Sequence, residues 1–130
     1  MKKIKFFSKS MGVNRPLRER NWVEQKQRIF NMDYGSICSG VEAAGLAWEK
    51  LGWKAKFFAE VEPFPSAVLM HRFGATKPLR PLDPDSADNE KDRKQRVTWQ
   101  KQIAEFPSGG TVPNLGDFTK ITKDDYEGKI

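Results

Sequence analysis

The fold is decided by one stretch of the chain, which reads Asp33-Tyr34-Gly35-Ser36-Ile37-Cys38-Ser39-Gly40-Val41-Glu42-Ala43-Ala44-Gly45-Leu46-Ala47-Trp48. Its first residues are typical of a short strand, its middle of a tight turn and its end of a helix. Glycine lets backbone N–H groups approach a ligand, and a helix N-terminus favours negative charge. The stretch therefore predicts a strand, a turn and a helix that together suit a carboxylate or a phosphate.

Strand and helix patterns alternate on the C-terminal side of this stretch. Gly52 suits the position just after a helix end, and Pro63 suits a first helical turn. Alternation at this spacing predicts an α/β fold with a parallel sheet. The predicted elements are a strand at 34–38, a helix at 42–51, a strand at 56–60 and a helix from Pro63 or Phe64 to about Arg72.

A polar segment at about 75–112 interrupts this alternation. Its proline-rich run at 77–84 excludes both a regular helix and a central strand. Residues 88–106 are highly charged but carry apolar side chains at helical spacing, so they predict a surface helix. We interpret the segment as an insertion that projects from the sheet and whose charges form a solvated face.

The net charge of +6 over 130 residues is concentrated at the N-terminus. Residues 1–31 hold nine Lys/Arg and two Asp/Glu, whereas residues 32–130 hold fourteen and fifteen. The body of the chain therefore lacks the basic surface typical of a nucleic-acid-binding domain. We predict that residues 1–31 are a basic extension, disordered or helical. The alternatives are an arm that contacts nucleic acid, and a natural start at Met32.

Cysteine content and hydropathy predict the compartment. The single cysteine, Cys38, excludes an internal disulfide and, without a targeting signal, indicates a reducing environment. No apolar run approaches the roughly 20 residues that span a bilayer. No set of His, Cys and carboxylates has metal-ligand spacing. We therefore expect a cytoplasmic protein with no membrane partner and no metal.

Two acidic residues at predicted strand ends strengthen the prediction of a ligand site. Glu60 ends the second strand, where a carboxylate can accept the hydroxyl hydrogens of a ribose. Alone, it would be interpreted as a solvated carboxylate. Asp117 ends a predicted third strand and can accept a hydrogen bond from an adenine amino group, with Phe118 or Val61 on the base. The two carboxylates together predict an adenosine-containing ligand.

Three blocks of the chain stand out together. They are Tyr34-Gly35-Ser36-Ile37-Cys38-Ser39-Gly40-Val41-Glu42-Ala43-Ala44, Phe58-Ala59-Glu60-Val61-Glu62-Pro63-Phe64-Pro65-Ser66-Ala67-Val68-Leu69 and Pro113-Asn114-Leu115-Gly116-Asp117-Phe118-Thr119. In order, they resemble the first three sequence motifs of the DNA cytosine-5 methyltransferases, in their phage-encoded or prophage-like branch. The resemblance implies a Rossmann-like S-adenosylmethionine-dependent methyltransferase fold, with only the N-terminal part of the parallel sheet. Residues 32–130 would then be a truncated cofactor-binding methyltransferase subdomain.

The resemblance implies S-adenosylmethionine as the cofactor, and it implies DNA as the partner of a complete enzyme. The cofactor-binding residues carried over by position are Cys38, Ser39, Gly40 and Val41 at the methionine end, Glu60 at the ribose, and Val61, Asp117 and Phe118 at the adenine.

No catalytic residue is predicted. The family's nucleophile is a cysteine in a Pro-Cys loop, and the chain has no Pro-Cys pair. Cys38 lies in the cofactor turn and is interpreted as a structural or cofactor-lining residue. His71 is interpreted as a helix-end or surface residue.

We therefore expect the S-adenosylmethionine-binding part of a DNA (cytosine-5)-methyltransferase that is inactive alone. One alternative is a non-catalytic module that retains the fold and binds nucleic acid or a partner. A different nucleotide-binding α/β protein is the other. Three predicted strands would leave sheet edges uncovered, so we also expect self-association or a C-terminal partner chain.

Overall fold

The computed structural model describes residues 32–128, so the predicted extension at 1–31 lies outside the described residues. The predicted order of strand, helix, strand and helix is confirmed. Within the described range, no helix has both the length and the apolar character needed to cross a membrane. The elements are β1 (Asp33–Ile37), α1 (Ala43–Glu49), β2 (Lys54–Ala59), α2 (Pro63–Phe73), a 3₁₀ turn (Pro84–Ser86), α3 (Glu90–Ala104), a second 3₁₀ turn (Phe118–Lys120) and α4 (Lys123–Tyr126).

The two strands form a parallel pair connected through α1. Asp33 lies opposite Lys54, and Ile37 lies opposite Ala59. The pairing is irregular just before Gly35, which approaches the ring of Phe57 so closely that a Cβ at this glycine would lie 2.2 Å from ring carbons. A parallel pair needs a crossover connection, which α1 supplies. The predicted α/β class with a parallel sheet is therefore confirmed, in the form of a small two-stranded sheet.

The third predicted strand is reduced to a bridge beside β2. The Phe58 N–H donates to the Pro113 carbonyl oxygen at 2.9 Å, and the Leu115 N–H donates to the Phe58 carbonyl oxygen at 2.7 Å, with Asn114 between them. Pro113 has no N–H to donate, and Gly116 has a φ of 78°. Extended pairing with β2 therefore cannot continue on either side of the bridge, and Val112 forms a separate parallel bridge with Ala75. The prediction of a full third strand is wrong.

The core joins α2 to β2, and aromatic contacts join α1 to the sheet. Phe58 of β2 and Leu69 of α2 are fully buried in the same hydrophobic cluster. On α1, the ring of Trp48 lies 5.0 Å from that of Tyr34 and 5.2 Å from that of Trp53, measured between centroids. Aromatic contacts of this kind add to the free energy gained by burying the rings. The packing fixes the carboxyl end of β2, where the predicted site lies.

Part of the predicted insertion lies against the sheet rather than projecting from it. The Leu79 N–H donates to the Asn114 carbonyl oxygen at 2.9 Å, and the Asp117 N–H donates to the Arg80 carbonyl oxygen at 2.8 Å. The predicted surface helix is present as α3, and Asn89 caps it. The loop before α3 is thus held beside the segment that carries Asp117.

Candidate functional site

One cavity lies at the carboxyl ends of β1 and β2, the edge at which open α/β sheets bind ligands. Its volume is about 560 Å³, which falls within the roughly 300–1,000 Å³ of small-molecule sites. Leu82, from the loop before α3, also lines it. The predicted cofactor-binding residues that the structure brings together here are Cys38, Gly40, Glu60, Val61, Asp117 and Phe118.

Two predicted site residues do not line this cavity. The Ser39 hydroxyl donates to the Ser36 carbonyl oxygen at 2.9 Å, so it closes the turn from within. Val41 is 49% exposed on the outer side of the turn. The structure therefore gives Ser39 a role in shaping the turn and leaves Val41 outside the site.

The turn between β1 and α1 is built from left-handed residues. Cys38, Gly40 and Glu42 have φ values of 54°, 53° and 55°. The conformation costs a non-glycine residue about 1–2 kcal/mol, so the surrounding contacts must hold it in place. One such contact is the hydrogen bond from the Cys38 N–H to the Ala59 carbonyl oxygen, at 2.9 Å. A Cβ at Gly40 would meet nothing within 4 Å, so this backbone is open to a ligand.

Glu60 connects the turn to the end of β2. It is 8% exposed, and its carboxylate accepts three backbone hydrogen bonds. Oε2 accepts from the Gly40 N–H at 2.8 Å, while Oε1 accepts from the N–H groups of Val61 at 2.8 Å and Glu62 at 2.9 Å. An ionised carboxylate offers about four acceptor positions. About one position therefore remains for a ligand, on Oε2.

Asp117 caps the second 3₁₀ turn and keeps one carboxylate oxygen available. It is 7% exposed, and its Oδ1 accepts from the backbone N–H of Thr119 at 3.0 Å and from the Thr119 hydroxyl at 2.6 Å. Oδ2 lies 4.0 Å from the Lys120 ammonium. Phe118 beside it is 51% exposed. The cavity thus combines two acceptor oxygens with an accessible aromatic ring.

Asn114 supports the site, and no role for it was predicted from the sequence. It is fully buried, and its Oδ1 accepts from the backbone N–H groups of Glu60 at 3.0 Å and Gly116 at 3.1 Å. Its Nδ2 donates to the Ser66 hydroxyl of α2 at 3.4 Å. One side chain therefore fixes the backbone next to both acidic residues. In the sequence, the sign of this role is that Asn114 is an amide among the apolar residues Val112, Pro113 and Leu115.

Glu42 lies behind the turn and outside the cavity lining. It is 3% exposed, and its Oε2 accepts from the Ser36 hydroxyl at 2.6 Å. Its Oε1 has no hydrogen-bond partner among residues 32–128. Burial raises the pKa of Tyr34, and the negative charges of Glu42 and Glu49 raise it further. Glu42 thus places a negative charge between β1 and α1, and not on the cavity wall.

Of Cys38 and His71, only Cys38 lines this cavity. His71 is exposed in the last turn of α2 and lines a different cavity of about 400 Å³. Cys38 lines the candidate site through its position in the turn. Over the part of the chain that the structure describes, no three His, Cys, Asp or Glu side chains form a group that can hold a metal ion.

Comparison with known proteins finds a related sequence. Over 40 residues the chain is 68% identical to the DNA N-6-adenine-methyltransferase of Escherichia phage P1. The match covers 31% of this chain and 5% of the phage protein, so the chain spans only a small part of that relative's length. No family model and no solved structure matches the chain. The fold is therefore described from its own geometry alone.

The phage relative contradicts the predicted cytosine-5 family, because its name specifies N6 of adenine. The physical reason for the error lies in what the three sequence blocks encode. They were interpreted as the pocket of the methyl donor, and a donor pocket carries no contact with the base that accepts the methyl group. Those residues could not distinguish one acceptor base from another.

Proposed function

We propose that residues 32–128 form the S-adenosylmethionine-binding part of a DNA methyltransferase. The observation that carries the proposal is one cavity that is lined by Gly40 of the turn between β1 and α1, by Glu60 and by Asp117. The similarity to the phage P1 DNA methyltransferase supports it. Following the name of that relative, the acceptor is the N6 amino group of adenine.

The residues of the cavity fit an adenosyl ligand because the two sides are complementary. The hydroxyls of ribose and the amino group of adenine are donors, and the carboxylates of Glu60 and Asp117 are acceptors. Glu60 accepts one hydroxyl on its remaining position, and Asp117 accepts the amino group on Oδ2. Phe118 and Val61 provide apolar surface for the base.

When bound, S-adenosylmethionine supplies an activated methyl group. The described residues bind and orient the donor, and none of them is assigned a step in methyl transfer. The described part therefore has the role of holding the donor.

Calorimetry tests the choice of ligand. Purified protein should bind S-adenosylmethionine or S-adenosylhomocysteine more tightly than NAD or ATP, because the pocket offers acceptors and no cationic cluster for phosphates. Tighter binding of NAD than of S-adenosylhomocysteine would overturn the proposal.

Alkylation of Cys38 tests the location of the site. This is the only cysteine of the chain, it is exposed, and it lines the cavity. S-adenosylhomocysteine should therefore slow its reaction with iodoacetamide, while NAD at the same concentration should not. An unchanged alkylation rate at saturating S-adenosylhomocysteine would place the ligand elsewhere.

Substitution of Glu60 tests its part in binding. Glu60→Gln replaces one acceptor oxygen with a donor that faces backbone N–H groups, so it should lower the free energy of unfolding by about 1–3 kcal/mol. It should also weaken S-adenosylhomocysteine binding at least about tenfold, which equals roughly 1.4 kcal/mol. Glu105→Gln, an exposed change outside the cavity, is the matched control and should leave affinity unchanged. Equal affinity in both variants would remove Glu60 from the site.

The acceptor base is tested separately. DNA from cells that make this protein should be digested and analysed as nucleosides, and any methyl group added above the level of an empty-vector strain should be on N6 of adenine. Methyl groups added to cytosine and none added to adenine would overturn the assignment of the acceptor, whatever the donor binding shows.

A further inference from the structure

We infer that the loop carrying Leu82 is a wall of the adenosyl pocket, and that α3 holds this wall in place. The inference rests on the proposed function and deepens it. The segment that contains this loop, expected from the sequence to be a solvated insertion, then contributes to ligand selectivity.

The loop is in direct contact with the segment that carries Asp117. The Arg80 carbonyl oxygen accepts from the Asp117 N–H at 2.8 Å, and a Cβ on Gly116 would lie only 2.2 Å from that same oxygen. Leu82 follows two residues later and lines the same cavity as Asp117 and Phe118. It therefore lies at the Asp117 end of the cavity.

Two side chains of α3 hold this loop by its backbone. Gln100 Nε2 donates to the Leu82 carbonyl oxygen at 3.1 Å. Arg96 Nη1 donates to the Asp83 carbonyl oxygen and to the Ser86 hydroxyl, both at 2.9 Å. Residues 96 and 100 are four apart on one helix, so both face the loop from the same side. The helix acts on the pocket through the loop and without touching the ligand.

Leu82 and Phe118 supply apolar surface to one cavity from two separate segments of the chain. A purine that donates its amino group to Asp117 lies at this end, where both side chains are available to cover its faces. Leu82 therefore keeps the amino group of the base within hydrogen-bond distance of the Asp117 carboxylate. Gln100 and Arg96 are positioning residues for Leu82. The consequence is that Leu82 contributes to discrimination between an amino-bearing base and one without the amino group.

The test uses S-adenosylhomocysteine and S-inosylhomocysteine, which differ at the position that faces Asp117. Leu82→Ala should weaken binding of S-adenosylhomocysteine about tenfold and should reduce the preference for it over the inosyl compound. Leu82→Met, which keeps the apolar volume, should stay within about threefold of the unsubstituted protein. Leu79→Ala is the matched control, because Leu79 is 58% exposed on the same loop and does not line the cavity.

Gln100→Leu tests the positioning role against Gln95→Leu, an exposed glutamine on the same helix. Gln100→Leu should weaken S-adenosylhomocysteine several-fold and lower the same preference, while Cys38 of the ligand-free protein is alkylated at the usual rate. A purely structural defect would weaken both compounds equally or change that rate, and either result overturns the inference for Gln100.

The two levels of proposal fail in different ways. If the unsubstituted protein does not bind S-adenosylhomocysteine, the proposed function fails and this inference fails with it. If the unsubstituted protein binds and Leu82→Ala binds as Leu79→Ala does, with the same preference between the two compounds, this inference alone is overturned.

Discussion

Gly116 has no space for a side chain. Its φ is 78°, in the left-handed region, and a Cβ there would lie 2.2 Å from the Arg80 carbonyl oxygen. Backbone cannot move aside as the tip of a flexible side chain can. The contact between this glycine and the loop before α3 therefore depends on the absence of one carbon atom.

Gly116→Ala should lower the free energy of unfolding by about 3 kcal/mol, the sum of left-handed strain and steric overlap. Gly74→Ala is the matched control, because Gly74 has a φ of 64° and its nearest non-local atom would lie 3.9 Å away. The control variant has the left-handed backbone strain without the steric overlap, so its free energy of unfolding should fall by about 1 kcal/mol. Urea unfolding of both variants measures the difference, and equal losses would show that the close approach to Arg80 is unimportant.

Asn114→Ala should be strongly destabilising because it leaves two buried N–H groups, those of Glu60 and Gly116, without their acceptor. Each such group costs about 1–3 kcal/mol, so the expected loss is about 2–6 kcal/mol. Ser66→Ala removes the partner of the longer 3.4 Å contact and should lose about 1 kcal/mol. Urea unfolding at neutral pH checks both values, and a loss from Asn114→Ala no larger than the control's would contradict its bridging role.

At the residue scale, the sequence could indicate those candidate site residues whose chemistry is local. Glu60 and Asp117 stand out by residue type and by position at strand ends, and the structure places both on one cavity. The role of Asn114 depends on partners 54 and 48 residues away. No local pattern encodes such separations, so this role became visible only once the chain was folded.

At the scale of elements, an ion pair joins α4 to the loop before α3. Arg80 Nη2 lies 2.6 Å from Asp125 Oδ1, and Nη1 lies 3.1 Å from Oδ2. Hydrogen bonds from Arg80, and then from the Thr122 backbone, hold the pKa of Asp125 well below its usual range. The same pairing raises the pKa of Arg80. Since the folded pKa is the lower one, the stabilisation is present above the unfolded pKa and is lost as pH falls toward the folded value.

Asp125→Asn should therefore be less stable than the unsubstituted protein at pH 7, and the gap should narrow below about pH 4. Asp124→Asn, an exposed change in the same short helix, is the control and should show a smaller difference at neutral pH. Urea unfolding at several pH values measures the gap. A gap that stays constant down to pH 3 would mean that titration of Asp125 does not contribute.

The order of elements could be predicted because each follows from a local pattern. Gly52, expected just after the first helix, has a φ of 76°, and the predicted second helix is present with Pro63 in its first turn. The third strand could not be predicted correctly, since its apolar residues suggest extension while Pro113 and Gly116 prevent pairing on both sides. Contacts between the loop before α3 and Gly116 are likewise long-range, which is why the segment was expected to project.

At the scale of the whole molecule, the small sheet leaves apolar surface uncovered. Within residues 32–128, β1 pairs only with β2, so its other edge is open. Ile37, at the end of β1, is 55% exposed. Open edges with apolar side chains favour pairing with another chain. Self-association, or binding of a partner chain, therefore stays a prediction, and the open edge of β1 is the surface that we expect to be covered.

Sedimentation velocity should show association that increases with protein concentration, and Ile37→Lys should reduce it because a charge on an edge opposes pairing. Leu79→Lys is the control, since Leu79 is 58% exposed but lies away from this edge. A monomer at all concentrations, or equal effects of the two substitutions, would exclude the β1 edge as the contact surface.

The hydrogen bonds of Glu60 also determine when the entropy of its side chain is lost. Freezing a glutamate side chain costs up to about 1.5–2 kcal/mol. Here three backbone N–H groups restrain it in the ligand-free protein, so this loss occurs on folding and not on binding. The pocket is preorganised, and its affinity is tied to the rigidity of the Gly40 turn. A substitution that only loosens that turn would therefore make binding entropically less favourable without removing any ligand contact.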